Sequence, residues 1–449
     1  MDEWWIEPMR RAFGGRSIVL AGAMGSSWTE HIEVLRSVGV GKLLVVATEG
    51  RGAGPLPDVP TVIVEPPAGL SQMERIHSAD RTLHDPTPEM IDAIQSFDPR
   101  GEAIVIGTFL STASEVAGRP LVSYRRSEWL ALEDKVVVDA FWDRAGIDRQ
   151  PAIVISLDEA ARAARSIDRG DGTVWAADAR EGFHGGATQT YWVNDDASRQ
   201  LAVAGLRSVC DSVRVMPFLE GIPCSIHGIV LPDGVAVLRP VELVTLRRGT
   251  EFVYAGCATY WDPAPAVREQ MRTVARRAGD RLRADVDFRG TFTVDGVVTS
   301  DGFWPTELNP RFGAGIMTIA RGTGIPMVLV HDLIAGGHDI GRSAAELESD
   351  VTAHGDARRG GGSWKGGFDI AIELEAEPVQ YADGAWSWAD PGGEFAGRVT
   401  AGAGFVRCLY DRKSTPIGPS TGARAAAFWD FAATEFGIDT AHLTPPRSM

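Results

Sequence analysis

Three side chains near residue 300 could hold a metal ion between them: those of Asp295, Glu307 and Asn309. They offer two carboxylates and an amide carbonyl, which are hard oxygen donors of the kind that Mg²⁺ prefers. Proteins usually hold Mg²⁺ with one or two carboxylates, while water and substrate phosphates complete the coordination shell. The alternative is an exposed hairpin with solvated acids. We favour the metal site, because the Glu-x-Asn-Pro-Arg run follows a buried apolar strand.

The surrounding stretch, residues 288–315, predicts a β-hairpin that would bring these side chains together. Apolar-rich segments at 290–294 and 303–308 flank a Ser-Asp-Gly turn, and an Asp-Gly step is typical of a tight chain reversal. Side chains alternate along a strand, so Glu307 and Asn309 should share one face. In this register both lie beside Asp295.

The hairpin end, E-L-N-P-R-F-G at 307–313, resembles the metal-binding end of the ATP-grasp fold. D-alanine–D-alanine ligase, biotin carboxylase and many carboxylate–amine ligases share that fold. The resemblance implies that Asp295, Glu307 and Asn309 hold two Mg²⁺ ions, for which Mn²⁺ can substitute, and that these ions bridge the phosphates of ATP. It also implies that Arg311 contacts a carboxylate substrate or a phosphate. A guanidinium suits this task, because its rigid fork binds either group through two hydrogen bonds.

An Asp-Lys step at 134–135, followed by a helical pattern and then Gly-Ile and Pro, resembles the start of the ATP-grasp domain. Val137, Phe141 and Ala145 repeat at helical spacing, and a glycine is placed to end the helix. The resemblance implies that Lys135 reaches a nucleotide phosphate and acts in catalysis. A lysine at a helix start is otherwise usually just solvated.

A glycine-rich stretch at 178–186 predicts a lid over ATP, because glycine lets backbone N–H groups approach phosphates and makes the loop flexible. Gly182, His184 and Gly185 are the expected nucleotide contacts there. Relatives usually carry a second phosphate-binding lysine on the preceding strand, where this chain has Val-Trp-Ala at 174–176. Arg180, or His184 if protonated, is the expected replacement. A plain surface loop is the alternative.

An apolar strand that ends in Glu-Gly at 220–221 resembles the hinge that reads the adenine base in this family. Backbone groups of Met216, Pro217 and Phe218 are expected at the adenine edge, with apolar side chains around the ring. Relatives often place a ribose-binding glutamate two residues after the glycine. Here Glu220 is the candidate for that role. Leu308 is a further expected nucleotide contact.

Composition excludes several other classes of protein. The formal net charge of −16, without any run of Lys and Arg, argues against nucleic acids and membranes as partners and favours a cationic or amine-bearing substrate. The four cysteines lack CxxC spacing, so we expect reduced thiols and a cytoplasmic protein. The first residues lack the layout of a signal peptide, and no run of 18 apolar residues exists.

The chain of 449 residues is long enough for about three domains. Four short apolar runs alternate with helical stretches and predict a doubly wound parallel sheet, at 17–21, 43–47, 61–64 and 103–107. The dinucleotide fingerprint GxGxxG is absent. The resemblance then implies a Rossmann-like pre-ATP-grasp domain at 1–130, an ATP-grasp domain at 131–345 and a small α+β appendage at 346–449.

The remaining patterns complete the expected secondary structure. Helices are predicted by apolar spacing at 266–284, 316–320, 325–333 and 422–436. Strands are predicted at 368–374, 386–388 and 405–409, after a linker or mobile loop at 356–367. Ser225 and His227 would share a face of one strand, but without an orienting acid we interpret them as core packing.

The resemblance implies ATP-dependent joining of a carboxylate to the amine of a peptide or amino acid, through an acyl phosphate. The layout also resembles the peptide-ligase branch of pheganomycin biosynthesis, in which a guanidino-substituted acid is joined to the N-terminus of a peptide. A ligase of the same fold that joins amino acids into a dipeptide and a non-catalytic ATP-binding protein remain alternatives, and a homodimer is compatible with each. The absent second lysine favours the non-catalytic alternative, and the complete set at Asp295, Glu307, Asn309 and Arg311 opposes it.

Overall fold

The structure is a computed structural model that describes residues 3–52, 54–70, 72–180, 185, 187–370, 372–402 and 404–447. Its strands form a four-stranded parallel sheet near the N-terminus, a two-stranded ribbon and a large, mainly antiparallel sheet. Among the described residues, none of the helices combines the length and the apolar character that crossing a membrane requires.

The first region is a parallel sheet with strand order β3-β2-β1-β4. Its central strands are buried, because helices cover the sheet and each strand is a continuous apolar run. The predicted doubly wound sheet is therefore confirmed. The elements are α1 (Ile6–Phe13), β1 (Ile18–Ala21), α2 (Thr29–Ser37), β2 (Leu43–Ala47), β3 (Thr61–Ile63), α3 (Gln72–His84), α4 (Pro88–Phe97), β4 (Ile104–Ile106), β5 (Glu115–Val116) and β6 (Arg119–Pro120).

A second region begins with helices and a group of four antiparallel strands. In this group β10 pairs with both β7 and β8, and β8 pairs with β9. The elements are α5 (Ser127–Leu130), α6 (Val138–Arg144), β7 (Ile153–Ser156), α7 (Ala160–Ile167), β8 (Thr173–Ala177), β9 (Thr190–Val193), α8 (Asp196–Leu206) and β10 (Ser212–Pro217).

The next elements include the predicted metal-binding hairpin and the strands that pair with it. The hairpin consists of β15 and β16, and β11 pairs with β15 on its other side. The apolar face of α9 packs in one core with the hairpin, as its 3.6-residue periodicity predicts. The elements are β11 (Ile222–Leu231), β12 (Gly234–Val237), β13 (Val241–Arg248), β14 (Glu251–Ala258), α9 (Pro265–Val286), β15 (Gly290–Thr299), β16 (Gly302–Asn309), α10 (Ala314–Thr323), α11 (Met327–Ala335) and α12 (Ala344–Ala357).

The last region extends the same large sheet, because β17 pairs with β14 and then with β21. Backbone hydrogen bonds between β14 and β17 connect residues on the two sides of the boundary proposed near residue 346. The domain boundaries stay predictions. The elements are β17 (Gly361–Gly366), β18 (Leu374–Ala382), β19 (Ala385–Trp388), β20 (Gly397–Gly402), β21 (Phe405–Tyr410) and α13 (Gly422–Phe436).

The prediction of a linker at 356–367 was wrong, because α12 continues to Ala357 and β17 occupies 361–366. The glycines of this run permit close strand contact instead. A Cβ atom on Gly362 would clash with the Cys408 carbonyl oxygen, and Gly361 adopts a φ of 126°. The strand predicted at 368–374 was also misplaced, since β18 begins at Leu374.

Candidate functional site

The hairpin brings Asp295, Glu307 and Asn309 together, as the sequence predicts. Asp295 is the cross-strand partner of Glu307, and a register irregularity follows directly after Asp295. The Asn309 amide Nδ2 donates a hydrogen bond of 2.9 Å to Asp295 Oδ2. Ser225, on the neighbouring strand β11, donates to the other oxygen of the same carboxylate. Three strands therefore converge on Asp295.

Burial and a second carboxylate perturb the Asp295 carboxyl group. Burial raises the pKa of Asp295 well above its usual range, and the negative charge of Glu307 acts in the same direction. The hydrogen bond from Ser225 and the positive charges of Arg311 and Lys135 lower it by less. Ionisation of both carboxyl groups at once is therefore unfavourable here, and a divalent cation bound between them would favour the ionised forms.

The donor set fits Mg²⁺ better than a softer metal. Among the described residues, no group of three or more His, Cys, Asp or Glu side chains is arranged to bind a metal ion. Two carboxylates and one amide leave coordination positions for water and phosphate oxygens, which is how Mg²⁺ is commonly held. The Asn309 Oδ1 atom accepts a hydrogen bond of 3.1 Å from Arg311. The Asn309 amide would therefore have to rotate for Oδ1 to face a cation bound between Asp295 and Glu307.

Two cations flank the carboxylates, and both line the same cavity. The Lys135 Nζ atom lies 3.5 Å from Glu307 Oε2, and the lysine side chain is only 10% exposed. The Arg311 Nε atom lies 3.1 Å from the buried Glu133 carboxylate, which also pairs with Arg125. Glu133 therefore holds the Arg311 guanidinium in place beside the hairpin.

The cavity has a volume of about 350 Å³ and extends from the hairpin to the predicted hinge. This volume lies within the range typical of small-molecule sites, which is roughly 300–1,000 Å³. Its lining includes Gly185 and the four predicted hinge residues Met216, Pro217, Phe218 and Glu220. The structure thus joins the predicted metal end and the predicted adenine end in one pocket.

Aromatic rings and an ion pair form the hinge end of the cavity. Phe218 stacks on Trp192, with ring centroids 4.1 Å apart. The Arg247 guanidinium lies over both rings and binds the two oxygens of Glu220 at 3.0 and 3.1 Å. Glu220 is therefore held in one orientation at the cavity wall.

A segment far along the chain also contributes to this wall. Arg247 and Thr444 exchange two backbone hydrogen bonds, of 2.8 and 2.9 Å, as in an antiparallel bridge. The backbone N–H of Arg447 donates to Glu220 Oε1 at 2.9 Å, and Pro446 lines the cavity. We call residues 444–447 the closing segment.

Two of the predicted residues lie elsewhere. The Arg180 guanidinium contacts the Asp211 carboxylate at 2.8 Å and the Ser208 carbonyl, and Arg180 does not belong to the described lining of the cavity. Leu308 alternates with Glu307, so its side chain points to the opposite face and is buried in the apolar core. Its prediction as a nucleotide contact was therefore wrong for the side chain.

Two further predicted contacts, Gly182 and His184, lie outside the described residues.

Several cavity residues were missed. Ser225 and His227 are buried, as core packing predicts, but they also line the cavity. Burial lowers the pKa of His227 to about 3, so its ring is neutral at pH 7. Alternation along β11 was the signal that could have placed both beside Asp295. Arg214, which also lines the cavity, was not predicted at all.

No protein-family sequence model matches the chain, and no curated protein matches it by sequence. Solved structures do resemble it. The biotin carboxylase domain of 2-oxoglutarate carboxylase from Hydrogenobacter thermophilus, in complex with MgADP, ADP and bicarbonate, has a TM-score of 0.56 and 14% identity, covering 96% of this chain and 91% of that one. Biotin carboxylase from Campylobacter jejuni, in complex with β-γ-ATP, has a TM-score of 0.56 and 15% identity, with coverages of 95% and 92%.

An L-amino acid ligase from Bacillus licheniformis has a TM-score of 0.50 and 14% identity, covering 89% of this chain and 94% of that one. These neighbours have the ATP-grasp fold, and so does this chain. The fold prediction is confirmed. Structural likeness at 14–15% sequence identity shows the shared fold alone.

Proposed function

We propose that this ATP-grasp chain joins a carboxylate to an amine at the expense of ATP. The observation that carries the proposal is the single cavity that connects the Phe218–Glu220 end to Asp295, Glu307 and Asn309. A nucleotide whose base lies at the first end would extend its phosphates toward the second. There the Lys135 ammonium and the Arg311 guanidinium supply positive charge.

The proposed reaction has two steps. An oxygen of the substrate carboxylate attacks the γ-phosphorus of ATP, which forms an acyl phosphate and releases ADP. The amine nitrogen then attacks the acyl carbon, the C–O bond to phosphate breaks, and the nitrogen loses a proton to solvent. Catalysis of phosphoryl transfer consists mostly of positioning and of charge neutralisation, so no protein nucleophile is required.

Asp295, Glu307 and Asn309 are the residues that would hold Mg²⁺. The ion would neutralise charge on the phosphate oxygens when bound. Lys135 would bind a phosphate, and Glu307 keeps its ammonium at the cavity wall. Arg311 would bind the substrate carboxylate or the phosphate, with its orientation fixed by Glu133 and Asn309. Glu220 is the proposed contact to the ribose.

We further propose a peptide or an amino acid as the amine substrate, and a cationic, guanidino-bearing acid as the carboxylate. The net charge of −16 supports a cationic substrate. The L-amino acid ligase of similar fold supports an amino-acid substrate as the second candidate. The role in pheganomycin-type antibiotic biosynthesis, the homodimer and the cytoplasmic location remain predictions from the sequence.

Phosphate release from ATP tests this function. The purified protein is incubated with ATP and Mg²⁺, with acids alone, with amines alone, and with both together. A ligase releases phosphate in proportion to the amide that mass spectrometry detects, and only when an acid and an amine are both present. ATP binding without release under every combination would support the non-catalytic alternative and would overturn the ligase proposal.

A further inference from the structure

A buried arginine occupies the middle of the cavity. Arg214 lies on β10, its side chain is 2% exposed, and it lines the pocket. Its Nη1 atom lies 3.3 Å from the Met216 sulfur on one side and 3.2 Å from the Thr306 carbonyl oxygen on the other. Met216 belongs to the proposed hinge, and Thr306 precedes Glu307. The guanidinium therefore lies between the two ends of the cavity.

An aspartate on another element fixes the plane of this guanidinium. Arg214 Nε and Nη2 donate to the two oxygens of Asp139 on α6, at 2.9 and 2.7 Å. Both Asp139 bonds leave from one edge of the guanidinium, and the Nη1 edge is directed toward Met216 and Thr306. Nη1 donates to the Met216 sulfur and to the Thr306 carbonyl oxygen, so a phosphate oxygen would bind the remaining Nη2 hydrogen or displace one of these two acceptors. The Asp139 pair keeps the guanidinium pre-organised for such an anionic partner.

The position opposite Arg214 is small. Arg214 and Ala176 are cross-strand partners in the β8–β10 pair, so their side chains share one face. Cβ atoms of such partners are about 4.5–5.5 Å apart. A methyl group at 176 leaves the space in front of the guanidinium open to the cavity, which Ala176 also lines.

We propose that Arg214 binds the phosphate chain of the nucleotide between the hinge and the metal hairpin. This inference rests on the proposed function, because it takes the base to lie at Phe218 and the terminal phosphate at Glu307. The inner phosphates must then pass Arg214. A buried guanidinium binds phosphate oxygens through charge-assisted hydrogen bonds, and exclusion of water strengthens them. Arg214 thereby supplies the cation that Arg180 does not bring to the cavity.

Calorimetric titration with ATP, ADP and adenosine tests the proposal. Replacing Arg214 alone would leave the partly buried Asp139 carboxylate with only the longer Arg149 contact of 3.6 Å, so the test variant is the double replacement Arg214→Gln with Asp139→Asn. Asp139→Asn alone serves as its reference. Arg207→Gln is the matched control, since Arg207 pairs with Asp158 at the surface. Thermal unfolding of each variant checks that the fold is kept.

Relative to Asp139→Asn, the double variant should bind ATP and ADP about tenfold to a hundredfold more weakly, which corresponds to one lost charge-assisted bond. Its affinity for adenosine should change less than about twofold. Adding Ala176→Lys to the double variant should restore ATP binding, because a lysine there projects from the partner strand into the same space.

Two results would overturn the proposal while leaving the ligase function intact. They are unchanged ATP affinity in the double variant, and an equal loss of ATP and adenosine affinity, which would indicate a structural role. Failure of the wild-type protein to bind ATP would overturn the proposed function together with this inference.

Discussion

The Lys135 ammonium lies 3.5 Å from the Glu307 carboxylate, and this contact joins the segment that precedes α6 to the metal hairpin. A bound nucleotide with its metal ion would compete with this contact. A cation bound at Glu307 would weaken the attraction between the two residues, and a phosphate would replace Glu307 as the partner of Lys135. Without a ligand, Lys135 and Glu307 therefore neutralise each other's charge at this end of the cavity.

Removing either hairpin carboxylate should abolish turnover. We expect Asp295→Asn and Glu307→Gln to lower the rate of phosphate release by about 100-fold or more, since groups that merely orient metal ligands already account for about 10–100-fold. Adenosine binding should stay unchanged, because the base end of the cavity is untouched. Asp301→Asn, at the exposed turn of the same hairpin, is the control. Normal turnover in Glu307→Gln would contradict the proposed site.

Neutralising Lys135 should weaken ATP binding. Lys135→Met removes the proposed charge-assisted contact to phosphate, so the KM for ATP should rise by about tenfold or more. Steady-state kinetics with ATP as the varied substrate measure this. Lys42→Met, which alters an exposed lysine, should leave the KM unchanged. If both variants behave alike, Lys135 does not contact the nucleotide.

The closing segment should act on nucleotide binding through one backbone group. Arg447→Pro removes the N–H that binds Glu220 Oε1, whereas Arg447→Ala keeps it. We expect Arg447→Pro to weaken ATP and adenosine binding about fivefold to tenfold, and Arg447→Ala to have little effect, because the Arg447 side chain is exposed. Titration calorimetry measures both. Equal nucleotide affinities of Arg447→Pro and Arg447→Ala would mean that the hydrogen bond from the Arg447 N–H to Glu220 does not contribute to binding.

The buried Asp332 should make stability depend on pH. Burial raises the pKa of Asp332 to about 7, against the hydrogen bond from Ser123. Between about pH 4 and pH 7 the folded state therefore binds more protons at this group than the unfolded state does. The free energy of unfolding must fall as the pH rises through this interval, by at most about 1.4 kcal/mol per pH unit, and the effect levels off above pH 7.

Asp332→Asn should remove this dependence. Urea unfolding at several pH values should give nearly equal stability for the two proteins near pH 4 and a growing advantage for the variant up to pH 7. Asp92→Asn changes an exposed acid and is the control. Parallel stability curves for wild type and Asp332→Asn would show that Asp332 titrates normally.

The local sequence pattern was sufficient to predict the hairpin and its three oxygen donors. The register of a tight hairpin follows from its turn and from the alternation of side chains between the two faces of each strand. The same rule already places the Leu308 side chain on the face opposite to Glu307, so the sequence itself argues against Leu308 as a nucleotide contact. The helix at Gly422–Phe436 was likewise evident from apolar spacing alone.

Contacts between distant segments could not be predicted in this way. The ion pair of Arg214 with Asp139 depends on how α6 packs against β10, and no periodicity in either segment specifies this. The glycines at 361 and 362 carry a turn signal locally, yet the close approach of β14 and β21 makes them strand residues. The closing segment was missed for the same reason, since only tertiary structure brings Pro446 beside Glu220.

The closing segment also bears on synthesis of the chain. A ribosome that has translated as far as β16 has already supplied the hairpin donors, but the wall beside Glu220 lacks its last piece until residue 447 has left the exit tunnel. A ligand of this cavity can stabilise only the form that binds it, through mass action. Nascent chains that still lack residues 444–447 should therefore gain less stability from a ligand of this cavity than chains that contain them.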